Sequence, residues 1–173
     1  MKIPNPNCLG EQINDSNWKT LEMSKLTGKE PHNRSNLDSE DKGLNMLLKE
    51  DSCLIIPTLA QKKSLLSILD YPNIYTRSFD LVRLNVDSFE SVRSRKDFVL
   101  IEVKVTSKKL VDFPTGFFFG LTKNEESLLQ GLEGAYLLCL ISIHPESRKS
   151  IYLDHDALTA RIKNKRIQYQ INL

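Results

Sequence analysis

Leucines at 44, 47 and 48 recur at helical spacing within the polar stretch LDSEDKGLNMLLKED (37–51). Asp38 or Ser39 is the N-cap expected for that helix. A second helix is expected over LAQKKSLLSILD (59–70), where YPN closes it. From residue 73 the texture changes to strands. NIYTRSFDLVRLNV (73–86) reads as one or two extended segments, VDSFESVRSRK (86–96) as a polar hairpin connection, and DFVLIEVKVT (97–106) as the next strand. GFFFGL (116–121) is expected as a strand after a loop containing Pro114. TKNEESLLQGLE (122–133) reads as a helix opened by the T-x-x-E capping box of Thr122 and Glu125. The apolar run AYLLCLISI (135–143) predicts a central strand covered on both faces. KSIYLD (149–154) predicts a further strand, DALTARIKNKR (156–166) a terminal helix and IQYQINL (167–173) a closing strand. This order predicts the α/β (α+β) class, with a mixed sheet flanked by helices. Residues 1–36 are rich in Asn, Pro, Lys and Ser, with Trp18, Leu21, Met23 and Leu26 read as their apolar anchorage, and are expected to form a polar arm, leaving 37–173 as a single domain.

One strand breaks its own pattern. In FVLIEVKVT, Glu102 and Lys104 emerge side by side on one face while Ile101, Val103 and Val105 cover the other. Charges are costly to bury unless paired or bound to a ligand, so the pair is either a half-exposed ion pair or a site. Asp80 adds a second oddity inside the apolar SFDLVRL, as a turn cap or a functional group. Together they form D…E-x-K, with 21 residues between Asp80 and Glu102 (102 − 80 − 1), a spacing that suits two antiparallel strands joined by a long hairpin.

Composition narrows the alternatives. The chain is 40% hydrophobic and 27% charged with a net charge of +2, so any affinity for nucleic acid must come from local clusters of Lys and Arg. Cys8, Cys53 and Cys139 are odd in number and far apart, and His32, His144 and His155 lack ligand spacing, which argues against a thiolate or imidazole metal site and for a reducing compartment. The start MKIPNPN has no apolar core, and the run AYLLCLI is too short to span a bilayer. A cytoplasmic protein without membrane association is expected.

The Asp80, Glu102 and Lys104 constellation resembles the PD-(D/E)xK nuclease superfamily, with Phe79 where a proline often precedes the aspartate. VLIEVKVT, GFFFGLTKNE and GAYLLCLISI, within residues 98–173, look like the nuclease-like module at the C-terminus of the plant protein NO VEIN and its bacterial relatives. The resemblance implies a restriction-endonuclease-like fold and a Mg²⁺- or Mn²⁺-dependent endonuclease acting on DNA. Two hard carboxylates, Asp80 and Glu102, suit such an ion beside a phosphate. The resemblance adds the main-chain carbonyl of Val103 as a ligand and Lys104 as the group orienting the attacking water. Glu40 is the candidate fourth acid, on a stripe with Gly43, Leu44 and Leu47; the alternative is a solvated first-turn glutamate. Asn124 and Glu125 match the helix-start motif without an assigned chemical step.

Basic residues cluster at Arg93, Arg95 and Lys96, at Lys108 and Lys109, and at Arg161, Lys163, Lys165 and Arg166. Lys108 and Lys109 are the first candidates for gripping phosphates, followed by Arg93 and Arg95. Double-strand cutting would call for two active sites, and so for a homodimer. The alternatives are a catalytically silent nuclease-fold module that binds nucleic acid or a protein partner, and an α/β protein whose E-x-K is a surface ion pair.

Overall fold

The structure, a computed structural model, describes residues 34–166, with side chains from Asp38 onward. The expected arm, apart from residues 34–36, and the expected closing strand lie outside the described residues. Helix α1 runs Arg34–Glu50, so the Asp38 and Ser39 expected as caps sit in its second turn. No Gly or Pro interrupts residues 34–38, and nothing there stops the helix from propagating. Strand β1 (Leu54–Ile55) leads to α2 (Leu59–Ile68), whose N-cap Thr58 forms a capping box with Gln61.

Pro72 then opens a 3₁₀ turn, Asn73–Arg77, where an extended segment was expected. The strand proper is β2 (Leu81–Leu84), followed by the polar connection and by β3 (Phe98–Thr106). Helix α3 (Lys123–Gly131), β4 (Tyr136–Ser142), β5 (Lys149–Leu153) and α4 (His155–Thr159) complete the order. α4 is shorter than its sequence pattern suggests, because Ile162, the one apolar residue of the basic tract beyond it, is half exposed and gives a longer helix nothing to bury.

The expected strand GFFFGL is irregular. Gly116 adopts φ +83°, and Phe113, Phe117 and Phe119 stack edge to face in a chain, half-buried against the core instead of joining a ladder.

The sheet is five-stranded and mixed, in the order β1-β2-β3-β4-β5. Every pairing is antiparallel except β3 with β4, whose parallel register Glu102↔Leu138 and Lys104↔Leu140 follows from the crossover through α3. Helices cover both faces. Leu47 of α1 packs with Leu81, Ile101, Val103, Cys139 and Ile141, while Leu65 and Leu66 of α2 and Leu128 of α3 pack with Val82, Leu100 and Leu138. The alternation along β3 therefore sends Glu102 and Lys104 towards α2 and α3.

Gly43 lets α1 close on β3. A Cβ there would sit 2.6 Å from Val105 Cγ2, inside contact distance. Gly43→Ala is expected to lower stability by about 1–3 kcal/mol despite the better helix propensity of alanine. Urea unfolding checks this, and Val105→Ala in the same chain should recover part of the loss.

Candidate functional site

Asp80 sits one residue before β2, where three successive residues are each tied to a different element. The buried Tyr136 hydroxyl on β4 donates to the Ser78 carbonyl at 2.6 Å, Lys62 Nζ on α2 donates to the Phe79 carbonyl at 2.5 Å, and Asp80 N–H donates to the Ile101 carbonyl at 2.9 Å. The Lys62 ammonium also lies over the Phe79 ring, 4.8 Å from its centroid. Asp80 Oδ2 then accepts from Val103 N–H at 2.9 Å, so the side chain continues the ladder where β2 ends. This long-range bond, and not the local turn cap that the sequence offered as one alternative, fixes the carboxylate against β3. A strand residue directs its N–H and C=O to the same edge, so the Val103 carbonyl faces the edge that Asp80 occupies.

Glu102 is 5% exposed. Its Oε1 accepts from Lys104 Nζ at 2.6 Å, and its Oε2 is buried with no hydrogen-bond partner among the described residues. Burial, then the nearby charge of Asp80, pushes the carboxyl up to about 9, against the opposing pull of Lys104. Lys104 reaches a second acid, Glu125 Oε1, at 3.2 Å. Burial lowers the Lys104 pKa, but Glu102 and Glu125 outweigh it and hold the ammonium above its ordinary value. Lys62 is shifted the other way, downwards, because its burial exceeds the attraction of Asp80 and Glu102.

Glu125 holds two posts at once. Its Oε2 accepts from Thr122 N–H at 2.7 Å and its N–H donates to Thr122 Oγ1 at 3.2 Å, completing the expected capping box, while Oε1 faces Lys104. The two roles separate by mutation. Glu125→Gln keeps an acceptor for the cap but loses the charge opposite Lys104; Glu125→Ala loses the cap as well, and is expected to be less stable than Glu125→Gln by about 1 kcal/mol. Both should slow any Lys104-dependent reaction about 10–100-fold, as measured by single-turnover rates beside thermal melts.

Glu40 is the seventh residue of α1, past the first turn, and is exposed. With Asp80, Val103, Leu44 and Val105 it lines a cavity of about 20 Å³, room for one water-sized occupant. Asp80 and Glu40 thus supply oxygen donors at a small space, with the Val103 carbonyl on the same edge of β3, while Glu102 leaves the opposite face of the strand and its Oε2 is a buried acceptor without a partner among the described residues. That donor chemistry fits a hard divalent cation. Among the described residues, no three His, Cys, Asp or Glu side chains are grouped closely enough to hold a metal by themselves. A cation here would need the main-chain carbonyl and substrate or water oxygens.

The basic candidates divide. Lys108 is exposed, while the Lys109 ammonium pairs with Glu146. Arg93 donates to its own loop at the Glu90 and Val92 carbonyls, and Arg95 donates to the Glu133 carbonyl at 2.9 Å. Both arginines precede β3, whose four-residue rise from Phe98 to Glu102 spans roughly 13 Å. Asn124, on the same turn as Glu125, is half-buried.

Lys62, Tyr136 and the second role of Glu125 had no sequence signal of their own, since the first two meet Phe79 and Ser78 across 17 and 58 residues of chain. No protein-family model, no curated protein and no solved structure matches this chain, so the nuclease resemblance rests on the residues themselves.

Proposed function

We propose that the chain is a Mg²⁺- or Mn²⁺-dependent nuclease that hydrolyses phosphodiester bonds in DNA. The observation that carries this reading is Glu102 Oε2, a carboxyl oxygen buried without a partner among the described residues, beside Asp80 and next to an ammonium held by two acids. Such an arrangement costs stability unless a ligand completes it. Asp80, Glu102 and the Val103 carbonyl, with Glu40 at the cavity, are the groups that would hold the ion. When bound, the ion would offset charge on the phosphate and acidify a coordinated water. The protein's own contribution is to place groups. Asp80 is locked by its bond to Val103, and Lys104 is kept protonated where it can orient water and offset developing charge. On this reading the protein works in the cytoplasm; among the described residues no helix is long and apolar enough to cross a membrane. A homodimer would bring two sites to two strands.

The second reading is a silent nuclease-fold module that binds nucleic acid or a protein partner. The 2.6 Å contact between Lys104 and Glu102 favours it, because the pair already partly satisfies itself. Purified protein on a panel of DNA and RNA substrates, with and without Mg²⁺ or Mn²⁺, decides between them. The nuclease reading expects cleavage that EDTA stops and that Asp80→Asn abolishes. No metal-dependent cleavage of any substrate, with binding retained, would leave the binding module.

A further inference from the structure

A second opening flanks α1. Lys42, Met46 and Lys49, spaced i, i+4 and i+7, line one side of a groove of about 410 Å³, and Ile143, His144 and Arg148 line the other, with Asn45, Ser107 and Pro145 completing it. The acid-lined cavity uses a different stripe of α1, Glu40 and Leu44, and its far wall is Asp80 on the β2 side of β3. The groove opens instead over the ends of β3 and β4, where Ile143 N–H donates to the Thr106 carbonyl at 2.9 Å. No carboxylate lines it among the described residues. Lys42, Lys49 and Arg148 make no ion pair among the described residues, although Asp41 and Glu50 flank the two lysines in sequence, and Glu146, two residues before Arg148, is taken by Lys109. His144 Nδ1 accepts from Glu146 N–H at 3.2 Å, which leaves Nε2 to carry the proton and donate.

Three cations without an ion-pair partner among the described residues repel each other around one concavity, and an anion relieves that. The groove's size is that of a small-ligand site, Met46 and Ile143 belong to its apolar lining, and each of its polar side chains can donate a hydrogen bond. We infer that this groove binds phosphates of a nucleic-acid strand and anchors it on the flank of α1 opposite the carboxylates. The choice of ligand rests on the nuclease reading; the charge pattern and the test do not.

The experiment measures affinity of the full chain for a fluorescein-labelled DNA duplex in EDTA, where no metal-dependent cleavage occurs, across a salt series. Lys49→Glu with Arg148→Glu is compared with Lys63→Glu with Lys163→Glu, an equal change in net charge at exposed residues outside the groove. Circular dichroism and melting curves establish that both variants fold. The groove variant should bind at least ~10-fold more weakly and lower the steepness of log K against log salt by about 1.8, for two lost phosphate contacts. The control should lose less than ~3-fold. Equal losses in both variants, no loss in the groove variant, or no duplex binding by the parent would overturn the inference. Displacement of the duplex by micromolar pyrophosphate would also overturn it, in favour of a small phosphate ligand. Cleavage by a parent that binds through another surface sinks the groove alone, and groove-dependent binding without cleavage sinks the nuclease reading alone.

Discussion

Lys104→Met is expected to slow metal-dependent cleavage by about 10³-fold while DNA affinity stays within a few-fold of the parent's. The ammonium is placed to act on the attacking water and on charge that develops in the transition state, and a group that works only there is lost from the rate and not from binding. Methionine keeps the aliphatic stem, so the substitution removes charge more than packing. The stability cost is the informative complication. Glu102 and Glu125 would both lose their shared cation in a buried setting, which for a fixed ion pair costs about 3–5 kcal/mol. Glu102 has an escape, because its carboxyl is already pushed up to about 9 and takes a proton near neutral pH. The variant should therefore fold, with a melting temperature that falls more at pH 8.5 than at pH 6. Single-turnover cleavage, anisotropy and thermal melts on the same preparation read all three quantities. A cleavage rate within threefold of the parent's would remove Lys104 from the chemistry and leave it as a structural cation between two acids.

The parts of this site that sequence reveals are those governed by local periodicity. Glu102 and Lys104 stand out because two-residue alternation forces them onto one face of an apolar strand, and Asp80 stands out because aspartate is out of place at a strand start. Glu125 was half visible. Its capping box accounted fully for its presence, and only folding shows that the second oxygen of the same carboxylate reaches Lys104. Lys62 and Tyr136 were invisible: one belongs to a pair of lysines on a helix and the other to an apolar run, and their role comes from meeting the Ser78 and Phe79 carbonyls. The misread elements have physical reasons as well. The aromatic density of GFFFGL mimics strand propensity, but Gly116 and Pro114 break the ladder and the rings prefer each other. Asp38 and Ser39 are good caps only where a helix has reason to begin, and here it begins upstream.

Metal binding should be proton-linked, and Glu102→Gln should remove the linkage. In the cation-free protein burial and Asp80 raise the Glu102 pKa from 4.5 to about 9, so at neutral pH the folded chain holds a proton that the unfolded chain has released. Since the unfolded state then binds fewer protons, the stability contributed by this group falls as pH rises from about 4.5 to about 9. A divalent ion must displace that proton before it can use the carboxylate, so apparent Mn²⁺ affinity should climb by about tenfold per pH unit from pH 6 towards pH 8.5. The ion stabilises the native state in proportion, and melting temperature in millimolar Mn²⁺ should rise relative to EDTA more steeply at high pH than at low. Glu102→Gln keeps an acceptor for Lys104 but has no proton to exchange. Its melting temperature should vary less with pH over the same window, its Mn²⁺ response should vanish, and cleavage should fall by at least ~10³-fold. Mn²⁺ stabilisation that is equal at pH 6 and pH 8.5, or that survives in Glu102→Gln, would place the ion elsewhere and leave the orphaned Oε2 as a buried carboxylic acid with a purely structural role.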